Sequence, residues 1–151
     1  MKILLLNGPN LNMTGRREPL IYGTETFEKI LDGLIPQFPE LTVVYRQSNL
    51  EGELITWIQE AESEKFQGII VNPGALAHYS LALSDALMCT TLPKLEVHLS
   101  NIHGREDFRR ISVTAGACHG IISGLGKESY RLALEWMKRH GARPTGFQTG
   151  S

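Results

Sequence analysis

Cysteine is scarce in this chain. Cys89 and Cys118 stand alone and form no CxxC pair. That excludes a disulfide framework and a zinc knuckle, and a reduced, cytoplasmic protein is expected. An excess of charge is missing too: Lys+Arg is 15 against Asp+Glu 16, a formal net charge of −1. A general nucleic-acid binder or a membrane-surface binder needs a basic excess, so neither partner is expected. No apolar run approaches the roughly 20 residues of a membrane span. The segment MKILLLNGPN has too short an apolar stretch for a signal-peptide core and no small-residue cleavage site, so it reads as a buried strand.

The familiar nucleotide and nucleophile motifs are also missing. Gly124-Leu125-Gly126 follows the last apolar run rather than the first and lacks the third glycine of GxGxxG. Gly126-Lys127 is followed by Glu128, so there is no phosphate loop, and GxSxG does not occur. The first strand is followed by no acidic pair, which disfavours a phospho-acceptor receiver. His98 and His103 lack a third ligand at useful spacing, so no metal is expected. A flavin or nucleotide module of similar architecture would need a phosphate cradle after the first strand. The turn there is Gly8-Pro9-Asn10, and Pro9 has no N–H to offer. No cofactor is expected.

What is present is a globular composition, 42% hydrophobic and 21% charged over 151 residues, which favours one domain. We expect a single catalytic domain over 1–140 and a flexible Gly/Thr/Pro/Ser-rich tail over 141–151. Short apolar runs alternate with helical periodicity. Strands are expected at Lys2–Asn7, Leu41–Arg46, Gly68–Val71, Lys94–His98 and Gly120–Ser123. Helices are expected at Thr26–Ile35, Glu51–Lys65, His78–Met88 and Lys127–Arg139, with Thr24 or Thr26 capping the first. That alternation predicts an α/β protein: a flavodoxin-like three-layer sandwich with a five-stranded parallel sheet of order 2-1-3-4-5. In such sheets ligands sit beyond the carboxyl ends of the strands. Those ends read Asn7-Gly8-Pro9-Asn10, Gln47-Ser48-Asn49, Asn72-Pro73-Gly74 and His98-Leu99-Ser100-Asn101, with Gly124-Leu125-Gly126 after the fifth strand. Amide, hydroxyl and imidazole groups are concentrated at four of them.

Two segments carry the chemistry. Asn10–Tyr22 is a long irregular loop directly after the first strand, a place where lids occur. It holds Arg16, Arg17 and Tyr22. An arginine beside the phenol would stabilise phenolate, lower a pKa that starts near about 10 and make Tyr22 a general base. The alternative is a surface loop anchored by a packed tyrosine. In the fourth strand Glu96 and His98 point the same way, which suits an imidazole held or charged by a carboxylate and serving as general acid. The alternative is a capping histidine with a structural carboxylate. Arg105, Arg109 and Arg110 follow. At i, i+4 spacing Arg105 and Arg109 would share a helix face and offer an anion site, unless they simply pair with Glu106 or Asp107. Ser100-Asn101 and the N–H groups of their turn could also clasp a carboxylate. Base, acid and anion-binding groups on one sheet edge suit proton abstraction next to a carbonyl followed by loss of a leaving group.

The blocks LNGPNLN at Leu6–Asn12, GRREPLIYG at Gly15–Gly23, QSNLEGELI at Gln47–Ile55, NPGALAHYS at Asn72–Ser80, EVHLSNIHGREDFRR at Glu96–Arg110 and GIISGLG at Gly120–Gly126 resemble type II 3-dehydroquinate dehydratase. The resemblance implies conversion of 3-dehydroquinate to 3-dehydroshikimate and water by anti elimination through an enolate, with no Schiff base. It also implies a homododecamer built as a tetramer of trimers. By resemblance, Tyr22 is the base at C2 and Arg17 activates it and helps to close the lid. Asn10 helps to hold a water at the enolate, and His98 protonates the C1 hydroxyl with Glu96 behind it. Asn72, His78, Leu99, Ser100 and Arg109 bind substrate, and Arg105 approaches the tyrosine. Asp85 reaches a neighbouring subunit's site. The sequence departs from the family pattern at Met13-Thr14, where Leu-Leu is frequent, at Ala77, where a threonine is usual, and at Ser84, where an arginine is usual.

Overall fold

The computed structural model describes residues 1–141; nearly all of the expected tail lies outside them. Five strands, β1 (Lys2–Asn7), β2 (Thr42–Gln47), β3 (Gly68–Asn72), β4 (Lys94–His98) and β5 (Gly120–Ser123), form one sheet in the order β2-β1-β3-β4-β5. Every pairing is parallel. The helices are α1 (Pro19–Tyr22), α2 (Phe27–Leu34), α3 (Glu51–Glu60), α4 (Leu81–Cys89) and α5 (Lys127–His140). Fold class and strand order match the sequence expectation. No helix among the described residues is long and apolar enough to cross a membrane.

Strand alternation divides the core in two. Ile3 and Leu5 of β1, Ile70 of β3, and Leu95 and Val97 of β4 face a layer built by Phe27, Ile30, Leu31 and Leu34 of α2 and by Tyr130, Leu134 and Met137 of α5. Leu4, Leu6, Ile69 and Val71 face the opposite layer, with Leu54 and Ile58 of α3 and Leu83 and Leu87 of α4. Each fully buried Leu or Ile contributes about 1.5–3 kcal/mol of transfer free energy. Both faces are therefore covered, as an all-parallel sheet requires. The same alternation turns Glu96 and His98 away from the α2–α5 layer, because Leu95 and Val97 occupy it.

Local boundaries moved where backbone geometry outranked periodicity. Thr26 caps α2, its Oγ1 accepting from the Lys29 N–H at 3.3 Å. The α2 helix ends at Leu34, and Pro36 follows in a 3₁₀ turn, Ile35–Gln37, since proline is tolerated in a first turn. The helix expected from His78 begins instead at Leu81. Ser80 caps it through the Leu83 N–H at 3.0 Å, and His78 belongs to a preceding 3₁₀ turn, Gly74–His78. The loop expected over Asn10–Tyr22 contains a 3₁₀ turn at Leu11–Met13 and the short α1.

A buried polar bridge ties the sheet to α5. The Tyr130 hydroxyl donates to Asn7 Oδ1 at 2.8 Å and accepts from Asn72 Nδ2 at 2.7 Å. Asn7 and Asn72 are register partners at the ends of β1 and β3, so one phenol fixes both strand ends. Burial pushes the Tyr130 phenol up from its ordinary range, and it pushes the half-buried Tyr45 up to about 12, with the Asn7 side chain opposing. Raised phenols stabilise the fold fully below about pH 10, where the unfolded phenol is also neutral. That contribution is lost as pH climbs from there towards the folded values. Alkaline titration followed by phenolate absorbance and near-ultraviolet dichroism should show Tyr45 and Tyr130 ionising only together with unfolding. The amplitude missing in Tyr130→Phe should belong to that late phase. Ionisation of Tyr130 with native dichroism intact would contradict this packing.

Candidate active site

The carboxyl ends of β1, β3 and β4 and the segment after β1 surround a cavity of about 100 Å³. Gly8 makes the approach of the first two strand ends possible. A Cβ there would lie 2.4 Å from the Pro73 carbonyl oxygen. The Gly8 N–H donates to the Asn72 carbonyl at 2.8 Å, so this amide is spent on holding the two turns together. Asn10 follows in the left-handed region, φ 69°. Its N–H donates to Asn49 Oδ1 at 2.9 Å, and it lines the cavity.

The lid returns over this opening. Gly15 sits at φ +87°, where a Cβ would meet the Glu25 carbonyl oxygen at 2.7 Å, so the lid's first bend needs glycine. Thr14, one of the departures from the family pattern, is buried, and its hydroxyl donates to the Leu11 carbonyl at 2.7 Å. The polar substitution therefore leaves no unsatisfied group. Pro19 starts α1, and Tyr22 ends it with its phenol over the cavity. Arg17 Nη2 donates to that oxygen at 3.1 Å and Arg105 Nη1 at 2.8 Å. Both guanidiniums also lie near the ring, at 4.6 and 5.2 Å from its centroid. Glu18 Oε2 stands 3.9 Å from Arg17 and 3.8 Å from Arg105. Of the two lid arginines, Arg17 lines the cavity and Arg16 is exposed outside it.

On β4, His98 Nε2 and Glu96 Oε1 lie 2.6 Å apart, both buried. An ionised carboxylate only accepts, so the shared proton belongs on Nε2 and Nδ1 is the nitrogen not engaged by Glu96. His98 lines the cavity, and Glu96 sits behind it with no exposed surface. Two hydroxyls complete the carboxylate's surroundings: Ser112 Oγ donates to Oε1 at 2.7 Å and Thr114 Oγ1 to Oε2 at 2.6 Å. The sequence reading missed both, since nothing in Ser112-Val113-Thr114 shows periodicity or motif. The available signal was indirect: a carboxylate in the middle of a buried strand requires donors from somewhere.

Asn72, His78, Leu99, Ser100 and Arg109 all line the cavity. Asn72 Oδ1 accepts from the Gly74 N–H at 3.1 Å, which with Tyr130 fixes the orientation of its amide. His78 Nδ1 lies 2.8 Å from the Ile111 carbonyl, and its ring runs parallel to His98 with centroids 6.4 Å apart. Arg105 and Arg109 do not share a helix face. Arg105 is extended, at φ −104° and ψ −156°, and Arg109 ends a separate 3₁₀ turn, Asp107–Arg109. Helical spacing misled here because the stretch never closes a helical turn across both residues. They converge on the cavity all the same. The pairing with neighbours also occurs: Arg109 Nε donates to Glu106 at 2.9 Å, and Arg110 pairs with Asp107 at 3.2 Å. Asp85 lies exposed on α4, outside this chain's cavity. Ala77 is fully buried and Ser84 partly so. Among the described residues no group of three or more His, Cys, Asp or Glu side chains could hold a metal ion.

This arrangement has close counterparts. The family model for class II dehydroquinases matches residues 1–138. The 3-dehydroquinate dehydratase of Thermus thermophilus is 55% identical over 138 residues, covering 89% of this chain and 92% of that protein. The enzyme of the same description from Deinococcus radiodurans is 52% identical over 137 residues, covering 89% and 96%. Among solved structures, the type II dehydroquinase of Butyrivibrio crossotus superposes with a TM-score of 0.89 at 45% identity, covering 91% of this chain and 97% of that one. That of Propionibacterium acnes gives 0.86 at 43% identity, covering 91% and 96%. The chain belongs to the class II dehydroquinase family.

Proposed function

We propose that this protein is a 3-dehydroquinate dehydratase, a hydro-lyase, and that it works by anti elimination through an enolate with no Schiff base and no cofactor. Family membership carries the activity. One observation carries the mechanism: the Tyr22 oxygen is held by two guanidiniums in the same cavity that receives His98.

In this reading Tyr22 removes the C2 proton next to the ketone. Tyr22 acts as the phenolate, its own proton having gone to solvent; both arginine bonds are strongest in that form, and the charge passes to the enolate as the C2 proton arrives. The enolate oxygen then faces a water held by Asn10 and the Asn72-Pro73-Gly74 turn. Electrostatic stabilisation of that oxygen is the largest contribution by analogy with oxyanion sites, where one donor is worth roughly 2.7–4 kcal/mol. His98, oriented by Glu96, gives a proton to the departing C1 hydroxyl. Asn72, His78, Leu99, Ser100 and Arg109 bind the substrate's hydroxyls and carboxylate. Arg17 moves with the lid while Arg105 stays with the body, so closure completes the base.

Residues 1–140 form the catalytic domain. Asp85 serves a neighbouring copy's site in a homododecamer of four trimers. Its position outside this chain's cavity supports that, as do the exposed Leu81 and Met88 on the same helix.

Adding 3-dehydroquinate should produce the ultraviolet absorbance of the conjugated product; an inert protein would contradict the proposal. Tyr22→Phe should lower kcat by at least about 10²–10⁴-fold with the fold intact, since it deletes the general base. Near-normal turnover would remove Tyr22 from that role. His98→Ala should cut elimination by about 10²-fold or more, and unchanged dehydration would exclude it as the acid.

A further inference from the structure

The acid arm depends on a carboxylate that the sheet buries completely. Glu96 occupies the middle of β4, next to Val71 in register, with no exposed surface. A charge in that position is costly unless hydrogen bonds surround it. Among the described residues, His98 is its ion-pair partner. The remaining donors are the hydroxyls of Ser112 and Thr114, at 2.7 and 2.6 Å. We propose that Ser112 and Thr114 are positioning residues for the dehydration: their hydroxyls fix the Glu96 carboxylate in the orientation that aims His98 at the leaving group. This rests on His98 acting as the acid.

The donor directions are forced. The Ala115 N–H donates to Ser112 Oγ at 3.0 Å, so the serine's own proton is free for Glu96 Oε1. Ser112 and Thr114 oxygens lie 3.1 Å apart. Each hydroxyl has one proton, and with both directed at the carboxylate neither is left for the other. Oε1 then receives His98 and Ser112, and Oε2 receives Thr114. Rotation of the carboxylate would break bonds at both oxygens. A carboxylate free to rotate would let the imidazole turn with it, and small misplacements cost large factors in rate.

The backbone around these hydroxyls is pinned by other bonds. The Val113 N–H donates to the Ala77 carbonyl at 2.7 Å, and the Ala117 N–H to the Thr114 carbonyl at 3.1 Å. Thr114 itself is fully buried. Thr114→Val keeps the branched shape and removes only the donor, so the segment should stay in place. The same segment follows closely on Arg105 and Arg109, which line the cavity that His98 also lines, so a short stretch of chain supplies both cavity arginines and the hydroxyls behind Glu96.

The test separates the acid arm from the base arm. Wild type, Thr114→Val, Thr114→Ser and His98→Ala are compared for kcat, KM and deuterium uptake at C2 of 3-dehydroquinate recovered from D2O. Thr114→Val should lower kcat by about ten- to a hundredfold, with KM little changed. C2 exchange, which needs Tyr22 and not His98, should persist, so the ratio of exchange to elimination rises. Thr114→Ser should restore most of the rate. Should Thr114→Val not fold, Ser112→Ala reads the same ratio. Wild-type kcat in Thr114→Val would overturn the inference, as would exchange and elimination falling in parallel. If His98→Ala loses elimination while Thr114→Val does not, the positioning role fails and the acid assignment stands. If His98→Ala keeps elimination, both fail.

Discussion

The Tyr22 phenol is gripped by two guanidiniums from distant parts of the chain, one five residues before it and one 83 residues after it. That contact joins the segment after β1 to the body of the molecule at the cavity, where the proposed mechanism puts its base. It also explains the composition of the lid. Gly15 makes the bend, Pro19 starts the short helix, and Glu18 stands close enough to both arginines to balance part of their charge.

Beneath the lid, parallel pairing does the positioning. A parallel sheet brings all its carboxyl ends to one edge, and the register here puts Asn7 beside Asn72 and Gln47. Tyr130 locks the first two from below. Along β4, period-two alternation sends Leu95 and Val97 into one layer and leaves Glu96 and His98 to the other. The buried His98–Glu96 pair thus comes from the same rule that builds the core, and the hydroxyls of Ser112 and Thr114 satisfy the carboxylate that this rule buries.

Much of this was legible in the residues. Strand positions followed from apolar runs, and the strand ends pointed to the site because amides and imidazole stood where ligands bind. Glu96 and His98 were paired correctly because alternation is local. What failed was also local. His78 looked helical by spacing, yet Ser80 offers the better cap and starts the helix later. Arg105 and Arg109 had helical spacing but lie in extended and 3₁₀ backbone. Spacing alone did not distinguish Arg16 from Arg17, which only the resemblance singled out, because the 3₁₀ turn and α1 together decide which one faces the phenol. Ser112, Thr114 and Tyr130 stayed invisible as partners, since their contacts span 16, 18 and 58 or more residues.

The most direct measurement of the central contact is a crystal structure of the protein with 3-dehydroquinate or its product bound. The Tyr22 oxygen should stand within about 3.5 Å of C2, as a near-attack geometry requires, with Arg17 and Arg105 still donating to it. A bound ligand with the Tyr22 ring turned to solvent and both guanidiniums released would contradict the assignment of the base, whatever the fold.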